Sequence, residues 1–342
     1  MSPMNTPRQP PVEPTAEPIV EPTVLAEKLN TWFGVHGRDL LWRHPDTSAW
    51  GVLVSEVMAQ QTPVRRVEPL WQAWMQHWPD PAALASAPTA EILRAWANLG
   101  YPRRALRLQE CARACVEKHQ GEVPTTISEL EALPGVGSYT ARAVAAFALG
   151  QAVPVVDTNV RRVYRRVVDG EFLQGPARSR DLRDVATLLP YVDPDPSLSR
   201  RQPGASQPIP QPSGDPSQRD AANLMCASLM ELGALVCTAK NPSCEQCPIS
   251  EHCRWVALGK PLPTQEAQDG AKRRVQKFAG TDRQVRGKIM AAVRGADVVS
   301  KADVAQLWED QVQLERCLDS LVADGLVVAE VAAGNITIRL PH

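Results

Sequence analysis

Four features of this chain combine residue types and spacings that can do chemistry. Glu56 lies in the octet SEVMAQQT (residues 55–62), directly after Trp50, Gly51, Val52, Leu53 and Val54. A carboxylate in so apolar a run either has arginine or backbone partners, or is buried so that its pKa rises. Asp157 opens the stretch VPVVDTNVRRVYRR, where on its own it reads as the N-cap of a helix. Pro-Gly-Val-Gly, within LPGVGSYTARAVAAFALG (residues 133–150), turns the chain tightly before a helix. Its backbone N–H groups can converge there on an anion, or the turn can be a plain helix–helix connection. Cys237, Cys244, Cys247 and Cys253 form C-x6-C-x2-C-x5-C. Four thiolates at such spacing favour a metal centre over a disulfide pair and suit zinc or an iron–sulfur cluster.

The elements that must position these groups are mostly helical. The chain has 342 residues and formal net charge -1, enough for a sizeable core and two domains. Neither a signal peptide nor a run of about 20 apolar residues is present, so a cytoplasmic protein that spans no membrane is expected. Residues 1–23 repeat Pro, Glu and Thr and read as a disordered tail. From Val24, helical spacing of Leu25, Leu29, Trp32 and Phe33 opens a helical domain over 24–260, interrupted by a Pro-, Ser- and Gln-rich insertion at about 194–219. A linker, 261–280, leads to a module at 281–342. There, helices at about 281–294, 301–309 and 311–324 precede a hairpin turning at Ala333, Gly334 and Asn335, in winged-helix order. Such modules bind DNA or dock proteins, and no side chain here marks a base-reading helix.

Arginines cluster at Arg103, Arg104, Arg107 and Arg113 and at Arg161, Arg162, Arg165 and Arg166, with a further basic group at Lys272, Arg273, Arg274 and Lys277. They read either as a phosphate-tracking face or as solvated helix surface. Cys111 and Cys115, one helical turn apart with no third ligand, read as core or surface thiols, as do Cys226 and Cys317.

In this order, RDLLWR, SEVMAQQT, NLGYPRRALRL, LPGVGSYTARAV, VDTNVRRV and the four cysteines resemble the MutY-type adenine DNA glycosylases of the helix-hairpin-helix superfamily, from about Leu29 to Trp255. The resemblance implies a mainly α protein of two helical lobes with a 4Fe-4S cluster on Cys237, Cys244, Cys247 and Cys253. It implies a monomer acting on double-stranded DNA, removing adenine mispaired with 8-oxoguanine or guanine. Glu56 would be the general acid, Asp157 the second carboxylate, and Asn159 would orient Asp157 or a water. Arg38, Leu40, Trp42 and Arg43 would form the adenine pocket, Gln61 and Tyr101 the DNA wedge with Gln60 beside it. Leu133, Gly135, Val136, Gly137 and Thr140 would form the phosphate-gripping hairpin.

Endonuclease III shares the hairpin, the aspartate and the cluster, but needs a lysine two residues past the last glycine to form a Schiff base. Tyr139 stands there, so base removal without strand cleavage is expected. Leu41, Pro102 and Ala227 depart from the family pattern, the last where Glu or Gln is frequent, and only the short module replaces a MutT-like C-terminal domain. A non-catalytic, redox-sensing DNA-binding protein is the alternative of another class.

Overall fold

The computed structural model describes residues 21–193, 216–272, 278–332 and 335–342. Its helices are α1 (Pro22–His36), α2 (Ala49–Ala59), α3 (Val64–His77), α4 (Pro81–Ser86), α5 (Thr89–Ala95), α6 (Arg103–Lys118), α7 (Ile127–Glu131), α8 (Ser138–Phe147), α9 (Thr158–Tyr164) and α10 (Asp181–Ala186). After the undescribed residues come α11 (Pro216–Leu235), α12 (Arg254–Ala257) and α13 (Gln265–Lys272). The C-terminal part holds α14 (Asp282–Gly295), β1 (Val299–Ser300), α15 (Lys301–Ala305), α16 (Gln311–Ala323), β2 (Val328–Ala332) and β3 (Asn335–Arg339). Helix α1 starts within the expected tail, α11 starts before the expected insertion ends, and α13 forms inside the expected linker. The rest of the tail and insertion, and the hairpin residues Ala333 and Gly334, lie outside the described residues.

Helices α2 to α8 make one lobe, with α2 packed on α3 and α8, and α4 on α6. Helix α1 crosses to the other lobe and lies along α11, which also packs on α9. Helix α2 is capped by Ser48, whose side chain accepts from the Gly51 N–H at 3.2 Å. Its residues from Trp50 to Val54 are all buried, because a helix apolar on every side must have neighbours on every side. Tryptophans supply them: the Trp71 indole donates to the Gly51 carbonyl at 2.8 Å, and Trp74 meets Trp78 and Trp96 edge-on at 4.8 and 5.5 Å. At Gly233 an added Cβ would stand 2.7 Å from Cβ of Asn159, so the missing side chain is what lets α11 approach the start of α9.

The C-terminal module has the expected three helices and hairpin, with one addition. β1 also pairs with β3, giving an antiparallel sheet of order β1-β3-β2 in register Val299↔Ile338↔Ala329. Two residues are too short a run to show alternation in sequence. The module touches the first lobe through Arg103–Asp324 (3.2 Å) and Arg94–Asp297 (3.1 Å). Among the described residues no helix is long and apolar enough to cross a membrane.

Candidate active site

A cavity of about 550 Å³ opens between the lobes, within the range of small-molecule sites. From the first lobe, α2 contributes Glu56 and α8 contributes Tyr139. The segment before α2 contributes Arg38, Leu40, Trp42 and Arg43, and the other lobe contributes Asp157, Asn159 and one face of α11. All eight of these pocket and carboxylate candidates therefore converge on one space.

Burial pushes the Glu56 carboxyl up to about 7. The Tyr139 hydroxyl, donating to it, and the charge of Arg43 pull it down, while the neighbouring Asp157 charge adds to the rise. Tyr139 is pushed well above the ordinary tyrosine range, by burial first and then by these two carboxylates, so it stays a donor. Asp157 is the N-cap of α9: Oδ1 accepts from the Val160 N–H at 2.7 Å while Oδ2 accepts from the Asn159 amide at 2.8 Å. Burial raises its pKa, against those donors and the Arg162 charge. Capping and cavity-lining are thus two faces of one carboxylate.

Sequence reasoning missed Glu231. It is fully buried on α11, where Oε1 accepts from the Arg38 N–H and Nε at 2.9 and 2.6 Å, and Oε2 from Arg38 Nη2 and Arg43 Nη2, both at 2.9 Å. Burial pulls its pKa up, but the two guanidiniums outweigh this and hold it at about 2. Its signal was the same as that of Glu56: a lone acid in an apolar helix, here LMELGAL. Trp42 is both core and wall, packed edge-on against Trp71 at 5.8 Å while lining the cavity.

The remaining candidates lie outside the cavity lining. Gln60 donates to the Thr140 hydroxyl at 3.3 Å, tying the end of α2 to α8. Gln61 and Tyr101 both have left-handed backbone, φ 56° and 46°, a strain concentrated where loops do specialised work. Tyr101 is 40% exposed, with the Arg283 guanidinium of the C-terminal module 4.5 Å from its ring centroid. Arg104, grouped with surface cations in sequence, instead staples these two loops. Its Nη1 donates to the carbonyls of Val57, Met58 and Gln60, and Nη2 to Thr62 Oγ1 and the carbonyls of Leu99 and Gly100. In the hairpin, Gly135 takes φ 79° and Gly137 caps α8, while Leu133, Val136 and the Thr140 side chain are buried beneath.

Arg162, Arg165 and Arg166 correct the surface reading more sharply, since all three are buried. Arg162 donates to Asn159 Oδ1 at 2.7 Å and to the carbonyls of Gly233 and Cys237 at 2.6 and 2.8 Å. Arg166 donates to Cys237 Sγ at 3.2 Å and the Thr238 carbonyl at 2.7 Å. The arginines thus join the cysteine loop to the wall that carries Asp157. Cys237, Cys244, Cys247 and Cys253 line one small cavity of about 20 Å³. Four thiols lining one space are a donor set for zinc or for an iron–sulfur cluster. Burial, and then the other three cysteines, push the Cys247 thiol up to about 12, so thiolates here need a metal cation for balance. Cys111, Cys115, Cys226 and Cys317 are buried elsewhere in the core.

The HhH-GPD superfamily of base excision DNA repair proteins matches residues 54–170, and the iron-sulfur binding domain of endonuclease III matches residues 237–253. The cysteines therefore belong to an iron–sulfur domain. A trapped endonuclease III–DNA covalent intermediate shares the fold, with TM-score 0.52 at 22% identity over 70% of this chain and 97% of that one. An adenine DNA glycosylase of Mycolicibacterium smegmatis is 48% identical over 302 residues, 88% of this chain and 91% of its own. That of Homo sapiens is 40% identical over 241 residues, 68% of this chain and 39% of its own. On the identity and coverage of the mycobacterial relative, the chain belongs to the adenine DNA glycosylase family.

Proposed function

We propose that this protein is a monofunctional base-excision-repair glycosylase that hydrolyses the N-glycosidic bond of adenine mispaired with 8-oxoguanine or guanine in double-stranded DNA, leaving an abasic site. The observation that carries the assignment to this cavity is the pairing of a carboxyl poised at about 7, Glu56, with a second carboxylate clamped by donors, Asp157.

Adenine is a poor leaving group until its N7 is protonated. Glu56, half protonated near neutral pH, supplies that proton as the C1′–N9 bond lengthens and its electrons move to the base. Positive charge then develops on the sugar. Asp157, whose donors favour its ionised form, stabilises that charge or bonds to it transiently. Glu56, now the carboxylate, accepts a proton from the water that attacks C1′, which restores the acid. Asn159 keeps Asp157 aimed, and Leu40 and Trp42 form apolar pocket walls while Glu231 fixes Arg38 and Arg43 beside them.

The adenine reaches the pocket by leaving the base stack, at a cost of a few kcal/mol, and Gln61 and Tyr101 fill the gap, with Gln60 beside them. Gly135 and Gly137 free backbone N–H groups at the start of α8 for a phosphate, with Leu133, Val136 and Thr140 forming the hairpin's buried support. When bound, the cluster cross-links the loop of Cys237, Cys244, Cys247 and Cys253, which the arginines connect to the Asp157 wall. Tyr139 has no amine, so no Schiff base with the sugar forms at that position.

A single-turnover assay tests the reading, using duplexes with adenine opposite 8-oxoguanine or guanine and duplexes with thymine glycol. Strand breaks that appear only after alkali, and only at adenine, are expected. Breaks without alkali at the oxidised pyrimidine would replace this reading with endonuclease III-like lyase chemistry.

A further inference from the structure

Helix α11 presents a stripe to the cavity at helical spacing: Asp220, Asn223, Ala227, Met230 and Glu231. Glu231 is fully committed to Arg38 and Arg43, Met230 and Ala227 offer no strong hydrogen bond, and Asp220 is exposed at the rim. Asn223 differs from all of these. Its Oδ1 is buried yet has no hydrogen-bond partner, although the residue lines the catalytic cavity. A buried amide oxygen without a donor is rare and calls for an explanation.

We infer that Asn223 is a specificity-determining residue that reads the Watson–Crick edge of the flipped adenine. This rests on the reading of the cavity as the adenine pocket. A side-chain amide carries one acceptor and one donor side by side, matching the N6–H donor and N1 acceptor of adenine. That edge is the one left free when Glu56 protonates N7. The last torsion of asparagine is soft, so Oδ1 turns from its unpaired position toward the base without a change of backbone. Ala227, one turn further along α11, leaves the room in which the two meet. Unpaired in the free protein and paired in the complex, Asn223 favours the base that offers both groups.

The test compares adenine with unsubstituted purine, which lacks N6–H, opposite the same partner base in single-turnover cleavage by the full-length protein. Asn223→Leu is expected to slow adenine removal tenfold to a hundredfold and to slow purine removal, which keeps the N1 contact but has no N6–H, by less, so the adenine-to-purine ratio falls. Asn223→Asp, which accepts from N6–H but when ionised cannot donate to N1, is expected to fall between wild type and Leu, and serves if the Leu variant does not fold. An adenine-to-purine ratio unchanged in the folded variants overturns the role of Asn223. Glu56→Gln, run in parallel, separates the two readings. Full activity there would discard the pocket itself, whereas an inactive Glu56→Gln with an unchanged ratio for Asn223→Leu discards only this inference.

Discussion

Two walls of one cavity each bury a glutamate in an apolar helix, and they turn the same residue into opposite things. On α2, Glu56 meets a tyrosine hydroxyl and a second carboxylate, and its pKa stands at about 7. On α11, Glu231 meets two guanidiniums with both of its oxygens and stands at about 2. Burial acts upward on both. What differs is whether hydrogen-bonded cations offset it, so one wall holds a carboxyl that keeps its proton near neutral pH and the other an anion held by Arg38 and Arg43.

The strongest way to break this contrast is Glu56→Gln. It should lower single-turnover adenine excision by about 10²–10⁴-fold, the usual worth of a positioned general acid, with duplex affinity retained in a gel-shift titration. A loss below tenfold would move the acid elsewhere.

Next in size is Glu231→Ala. Glu231 is the buried partner, while Arg38 and Arg43 are part-exposed and can be rehydrated, so losing its charged hydrogen bonds costs about 1–3 kcal/mol. Thermal unfolding at pH 7 should therefore show a Tm lower by about 5 °C. The Glu231 contribution is present above its unfolded pKa and is lost as pH falls toward about 2, so the deficit should shrink in acid. A variant as stable as wild type at pH 7 would remove Glu231 as the anchor.

The stability of Glu56→Gln should have the opposite sign. A carboxyl whose folded pKa is raised weakens the fold as pH climbs from its unfolded value toward about 7, and above that the ionised form bears the whole cost of burial. Denaturant melts at pH 8 should find Glu56→Gln more stable by about 2–3 kcal/mol, with little gain near pH 4. Equal stability at both pH values would contradict a raised pKa.

The smallest effect sharpens the same point. Tyr139→Phe removes the hydrogen bond that favours ionised Glu56, so the alkaline limb of the rate profile should move up from about 7 by up to about one pH unit. A shift downward would mean that the tyrosine supports the protonated form.

Much of this molecule was legible from residue order. Helices dominate because apolar residues recur at helical spacing, and the hairpin was readable from its turn at Ala333, Gly334 and Asn335. Asp157 was readable as a cap, and the four cysteines as a metal centre. The elements that escaped had weak local signals: the two-residue β1, the helix α13 inside a polar linker, and the starts of α1 and α11 within Pro-rich sequence. Proline is tolerated in a helix's first turn, so composition alone misplaced those boundaries. Arg104, Arg162, Arg165 and Arg166 escaped for another reason, since a run of arginines looks the same in water or inside. They are internal because carbonyls and polar side chains from distant segments meet their N–H groups.

The sequence by itself determined that two glutamates would be drawn into apolar helices, that an aspartate would begin α9, and that four thiols would gather in one loop. These are consequences of local spacing and of apolar residues leaving water. Only the tertiary structure decided which glutamate keeps its proton near neutral pH. The electrostatic work of ionising a buried carboxyl depends on charges from Arg38 and Arg43, 193 and 188 residues from Glu231 along the chain, and those are brought to Glu231 rather than hydrogen-bonded to Glu56.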